Sequence, residues 1–366
     1  MLLGSLFVIT SGICLQGSLS GTPIMNTLIL AVGAVLASFV GTTGASVLLI
    51  RPLLRANASR MRKAHVVVFF IFIVSNCGGL LTPLGDPPLF LGFLNGVPFQ
   101  WTFRLWKEWA LVNGVLLLVF HFWDETVLNR EERERPGSQL EQLMKHAPLR
   151  VHGLHNLIFL VSIVGTIYAA GRGVGNRGAL WPFGWQEGLM LVAASLAYFS
   201  TSPVNRANNR FSFGPIVEVA VLFAGIFVTM IPALLILNAR GKEFGLTKPW
   251  QFFWASGGLS SFLDNAPTYL TFAATAAGIE GIAAEGRYLE RFLALGPQAV
   301  ALLSAVSCGS VFMGANTYIG NGPNFMVKAI AEENGVKMPS FFGYMFYSGI
   351  ILLPTFGVVT LLFFRQ

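Results

Sequence analysis

The chain has 366 residues, of which 54% are hydrophobic and only 11% charged, with a net charge of +7. Soluble domains carry about 25% charged residues, so this composition excludes an ordinary soluble enzyme or regulatory domain and describes an integral membrane protein whose partner is the lipid bilayer. Its long apolar runs point to helices rather than to a barrel's short alternating segments, and the basic excess is a matter of membrane topology, not of nucleic-acid binding.

In chain order, Leu3–Leu19 is the first expected span. No Lys or Arg precedes Arg51, so the basic start of a signal peptide is missing. Pro23–Leu54 follows, interrupted at Gly41-Thr42-Thr43-Gly44-Ala45-Ser46. It reads as one tilted helix or, in preference, as a helical hairpin that enters and leaves on the same side with the interruption as its tip. Arg51, Arg55, Arg60, Arg62 and Lys63, with no acid among them, put the following loop on the cytoplasmic side. His65–Leu94 crosses outward and Trp106–Trp123 returns, with tryptophans near its ends as interfacial anchors. Residues 124–150 are dense in both charge signs and read as a polar, solvated cytoplasmic linker between a first membrane repeat, 1–123, and a second, 151–366.

The second half holds spans at Gly153–Ala170, Trp185–Phe199 and Phe213–Leu237. A second hairpin, Trp250–Gly278, is broken at Asp264-Asn265-Ala266-Pro267. Pro297–Ile330 is discontinuous between Ser307 and Asn324, and Phe341–Phe364 closes the chain. Three helices precede this hairpin and only one precedes the first. The expectation is therefore that two N-terminal helices belong to a longer version of the chain, the alternative being an asymmetric architecture.

The most informative stretch is Ser75–Phe99, where glycine, proline and polar residues interrupt hydrocarbon on both sides. That pattern suits a helix unwound near mid-membrane. Its frame Gly79-x-x-Thr82-x-x-Gly85-Asp86-x-Pro88 superimposes without a gap on Gly314-x-x-Thr317-x-x-Gly320-Asn321-x-Pro323. Each frame follows a hairpin and precedes one more helix. The fold expected is an all-α polytopic membrane protein of two inverted repeats, each with a re-entrant hairpin and a discontinuous helix.

Of three aspartates, Asp86 and Asp264 lie in helix breaks and Asp124 in the expected linker. An ionisable group at membrane depth marks a candidate functional site, although either aspartate could instead cap a half-helix. Asn76, Thr82, Asn265, Thr268, Asn316, Thr317, Asn321 and Asn324 line the same breaks, with Thr42 and Thr43 at the first tip. Amide, hydroxyl and freed backbone oxygens form the hard shell a small cation needs, and the same groups can also serve only to satisfy backbone. Glu218, a few residues into an apolar run, is either interfacial or a proton relay. The three cysteines and five histidines have no metal-ligand spacing, and no nucleotide-binding motif is present. No cofactor is expected beyond transported sodium and protons.

One enzymatic alternative is an intramembrane aspartyl protease, on the strength of two membrane aspartates and Pro232-Ala233-Leu234. Pro83 stands where that motif needs a glycine, and no aspartate precedes Asp86. The expectation is accordingly not an enzyme.

Through Ser75–Phe99, Gly41-Thr42-Thr43-Gly44-Ala45-Ser46, Ser261-Phe262-Leu263-Asp264-Asn265-Ala266-Pro267 and Gly320-Asn321-Gly322-Pro323-Asn324, the chain resembles the ion transporter superfamily. Within it, the likeness is to NhaD-type sodium–proton antiporters and to citrate (CitMHS-like) transporters. The resemblance implies inverted repeats, elevator-like movement, a homodimer, and a place in the bacterial inner membrane. Dicarboxylate members carry Ser-Asn-Thr at their hairpin tips, which this chain lacks. Sodium–proton exchange is therefore the leading expectation, with Asp86, Asp264, Asn265, Asn76, Thr82, Asn321 and Asn324 as its site. Sodium- or proton-coupled citrate or dicarboxylate transport is the alternative.

Overall fold

The structure, a computed structural model, describes residues 2–16, 20–134, 150–176, 181–182, 184–209, 211–214 and 245–365, with scattered positions between 216 and 243. The first half contains α1 (Leu2–Ser11), β1 (Cys14–Gln16), α2 (Pro23–Val40), α3 (Thr42–Ala56), α4 (Ala64–Ile73), α5 (Pro87–Leu94) and α6 (Trp106–Glu134). After it come β2 (Arg150–His152), α7 (Asn156–Arg172), α8 (Trp185–Ser200) and α9 (Pro203–Asn208). The rest is α10 (Pro249–Ser260), α11 (Asn265–Ile279), α12 (Tyr288–Leu293), α13 (Pro297–Met313), α14 (Gly322–Glu333) and α15 (Phe341–Val359). Among the described residues five helical stretches are long and apolar enough to cross a membrane: Pro23–Val40, Ala64–Leu81, Phe99–Glu134, Pro297–Asn316 and Phe341–Phe364. The protein is a largely helical, multi-pass membrane protein.

Both expected hairpins form. Pro23 opens α2 at a position where a missing N–H costs nothing, and Gly41, at φ 85°, turns the chain where a side chain would be strained. The strands of polar pairing show the fold-back: Asn26, near the start of α2, bonds Asn57, just past the end of α3. In the second hairpin α10 and α11 fold back so that the rings of Phe252 and Phe272 meet. Small residues set how closely α10 lies on α13, since a Cβ on Gly309 would sit 2.4 Å from the Phe253 carbonyl oxygen.

The two unwound segments share one local construction. After α4, Cys77–Leu81 winds as a tight 3-10 turn, Thr82 is extended, and α5 starts at Pro87-Pro88 with Asp86 in the N-cap position. After α13, Gly314–Asn316 is a 3-10 turn, Thr317 is extended, and α14 starts at Gly322-Pro323 with Asn321 in the N-cap position. Thr82 donates its hydroxyl to the Ser38 carbonyl on the first hairpin, and Thr317 donates to the Ser261 carbonyl on the second. Each turn closes backbone on backbone: a Cβ on Gly85 would lie 2.0 Å from the Gly79 oxygen, and one on Gly320 2.6 Å from the Gly314 oxygen.

α1, α7 and α8 pack together, with Asn156 and Thr201 bonded across them. This group meets the first hairpin along α3, where Gly44 lies against Thr10.

Several expectations need correction. The first span ends at Ser11, not Leu19, because Gly12 packs its backbone against Gly153 and the chain then forms β1, paired antiparallel with β2. Arg51 and Arg55 belong to α3 rather than to a loop. α6 runs on through Glu134, so the start of the expected linker is helical and mostly exposed, but Asp124 itself is buried. The second discontinuous span breaks only at Gly314–Asn321, since α13 continues past Ser307 to Met313. More than half of the expected span Phe213–Leu237, including Glu218, and most of the expected linker lie outside the described residues.

The closeness at the paired turns gives a test. Gly85→Ala and Gly320→Ala should each lower the unfolding free energy in detergent by about 1–3 kcal/mol, the usual cost of overpacking. Gly114→Ala, in the helix α6 where a Cβ meets nothing within 4 Å, should raise it by up to about 1 kcal/mol.

Candidate functional site

All four breaks meet at Asp86, which is 1% exposed. Its Oδ1 accepts the Thr42 hydroxyl from the first hairpin tip at 2.9 Å. Its Oδ2 accepts the Asn265 amide from the second tip at 2.6 Å. The Asn321 amide, from the second unwound segment, donates to Oδ1 at 3.2 Å. Asp86 stands at an N-cap position yet bonds no backbone N–H of its own helix. Its carboxylate is turned across the protein, and every one of these donors is neutral.

Asn76 knits the two unwound segments together. Its amide donates to Asn324 Oδ1 at 2.7 Å and its carbonyl oxygen accepts from Asn321 at 3.1 Å. Asn324 in turn donates to the Gly314 and Thr317 carbonyls at 2.8 and 2.9 Å. These amides close gaps left by unwinding, where buried backbone oxygens otherwise lack donors. Asn265 and Asn316 are different. The side-chain oxygen of each is buried without a hydrogen-bond partner, and that of Asn265 sits on the amide that already touches Asp86.

Thr42, Asn76, Asp86, Asn265, Asn321 and Asn324 therefore form one bonded cluster, all buried. Thr82 and Thr317 adjoin it with their hydroxyl protons committed to Ser38 and Ser261, stitching each hairpin to its unwound helix. Thr268 donates to the Asp264 carbonyl one turn back in its own helix. Asp264 is half-buried at the second tip and caps α11 by accepting the Ala266 N–H at 3.0 Å. Thr43 is half-buried and is not among the donors to Asp86.

The helix directions add charge. Thr42 and Asn265 are the first residues of α3 and α11, and Asp86 and Asn321 precede α5 and α14. Four helix N-termini thus converge on one carboxylate. Each end carries about half a positive charge, though Pro87 and Pro88 leave α5 without N–H donors in its first two positions.

Sequence reasoning missed Ser38, Ser75 and Ser261. Ser75 pairs with Ser46 at 2.8 Å, and Ser38 and Ser261 accept the threonine stitches. The shared placement of Ser38 and Ser261 just before each hairpin tip was the available signal. It also missed Asp124, which forms a buried ion pair with Arg60 at 2.6 Å.

Membrane-length helices, broken in pairs around a buried polar cluster, define an integral membrane protein of the transporter class. The comparison with family models is decisive on the next level. A model described as "Putative citrate transport" matches residues 1–364, and the chain belongs to that family. It is a transporter, not an enzyme. No curated protein matches it.

The two aspartates should separate by stability. Asp86→Ala strands three buried donors, at about 1–3 kcal/mol for each left unsatisfied, whereas Asp264→Ala removes a cap worth about 1 kcal/mol. Unfolding in mixed detergent should show the first loss clearly exceeding the second.

Proposed function

We propose that the chain is a cation-coupled carrier of small carboxylates of the citrate class, with sodium or protons as the coupling ion. The observation that carries this reading is the convergence of four helix N-termini on Asp86. Even with the α5 start discounted for its two prolines, the other three amount to about one and a half positive charges against one carboxylate, leaving a surplus that favours an anion. The match to the family described by citrate transport supports the same substrate class.

In this reading the coupling cation binds first, on Asp86 with the unpartnered Asn265 oxygen and carbonyl oxygens freed by unwinding. It cancels the one negative charge that would repel the substrate. The carboxylate is then held by the helix starts at the two tips. Asp264 shapes the second tip through its cap and Asn316 offers a further oxygen. The shared construction of the two unwound segments supports a pair of inverted repeats with re-entrant hairpins, a design that can expose one central site to either side in turn. Exposed Arg62 and half-buried Lys63 beside the first hairpin's base support a cytoplasmic position for that loop, as in a bacterial inner membrane.

Sodium–proton exchange on the same residues is the second reading. What favours it is that Asp86 is buried among neutral donors, so that a proton and a sodium ion could compete for it.

Uptake of radiolabelled citrate into proteoliposomes tests both. An imposed inward sodium or proton gradient should drive accumulation in the wild type, and Asp86→Asn should reduce it by about tenfold or more, as expected when a buried charge partner is lost. Asp264→Ala, which loses only the cap that shapes the second tip, should lower uptake less than Asp86→Asn does. Sodium–proton exchange without citrate uptake would favour the second reading, and neither activity would overturn both.

A further inference from the structure

Among the described residues, a second set of buried polar groups lies at the opposite end of the first hairpin from the transport site. Asp124 on α6 is fully buried and accepts from Arg60 Nη1 at 2.6 Å and from the Asn26 amide at 2.9 Å. His65 Nε2, at the start of α4, lies 2.8 Å from the same carboxylate. Asn26 and Asn57 exchange amide hydrogen bonds in both directions, at 3.0 and 2.8 Å, closing the hairpin's base. Arg60 also reaches the Gly21 carbonyl ahead of α2 at 3.3 Å. On the same face of α6, His121 meets Thr27 at 3.1 Å and Glu131 accepts the Arg62 backbone N–H at 2.6 Å.

These bonds join both ends of the hairpin to α4 and α6. The hairpin's other end, Thr42, is bonded to Asp86. α3 is 15 residues long, so the two fixed points are about 22 Å apart. A buried ion pair seldom adds net stability over an apolar pair of the same volume. What it adds is direction, since five side chains are bonded to one another in a single alignment of the hairpin against α4 and α6.

We infer that Asp124 is a positioning residue for transport: with Arg60, His65, Asn26 and Asn57 it clasps the base of the first hairpin and thereby holds Thr42 on Asp86. The role in transport rests on the function proposed above, whereas the clasp itself can be tested without any substrate.

Arg60→Met combined with Asp124→Leu removes both charges and strands neither. Asn57→Ala is a milder variant that opens the amide pair and serves if the first does not fold. Ala45, fully buried beside the tip, is replaced by cysteine as a reporter, and maleimide labelling is followed in proteoliposomes, with native Cys77 and Cys308 as buried internal controls. In the clasp variants Cys labelling at position 45 should accelerate about tenfold while Cys308 stays protected, as local opening requires. Citrate uptake should show KM raised about tenfold with Vmax within about twofold, the signature of a displaced binding group. Arg62→Ala, which breaks only an exposed pair with Glu134, should change neither. A folded clasp variant that labels at the wild-type rate overturns the inference. A wild type that takes up no citrate counts against the proposed substrate, and the labelling result still decides the clasp.

Discussion

The fold depends on keeping one carboxylate in the middle of a membrane protein. Moving an ionised group out of water costs several kcal/mol even after relaxation, and Asp86 is 1% exposed. The cost is offset by donors that come from three different breaks: Thr42, Asn265 and Asn321. None of the three can reach Asp86 unless its own helix starts beside it. The carboxylate therefore fixes where both hairpins and the second unwound helix must end, and the helix dipoles that arrive with them add to its stabilisation.

Close approach of so many backbones requires the rest of the architecture. Gly79 with Gly85, and Gly314 with Gly320, let each unwound turn close on itself. Thr82 and Thr317 tie those turns to the hairpins. The Asn76–Asn324 bond then joins one unwound segment to the other. The two hairpins are secured differently along their length. The first has the ionic clasp at Asp124, while the second relies on small residues, with Gly257 against Met313 and Gly309 against Phe253. The arrangement yields a site that both halves share, which is what alternating exposure of one site needs.

Much of this was legible in the sequence because it was written in local signals. The repeated frame of glycine, threonine and proline could be read from Gly79–Pro88 and Gly314–Pro323, and each of its residues has the same structural task in both copies. Asp86 was legible as a charge in a helix break. Its distinction from Asp264 was not, because both occupy positions where a helix cap is expected, and only the distant partners show that Asp264 caps and Asp86 does not. Asp124 was misread for a related reason. Its partner Arg60 is far off in the chain, and the Glu- and Arg-rich stretch after it contains good helix formers that also suit a solvated loop. The short strand at Cys14–Gln16 was invisible because its pairing with Arg150–His152 crosses the whole first half. Counting acids favoured a cation, and only the structure shows that four helix starts lie together at Asp86.

The most direct measurement is a double-mutant cycle across Asp86, combining Thr42→Val from the first hairpin tip with Asn265→Ala from the second and reading unfolding free energy in detergent. If both tips are held by the same carboxylate, their effects should couple by about 0.5–3 kcal/mol, and the coupling should vanish when Asp86 is replaced by alanine. Effects that add to within about 0.5 kcal/mol in the presence of Asp86 would contradict a shared central site.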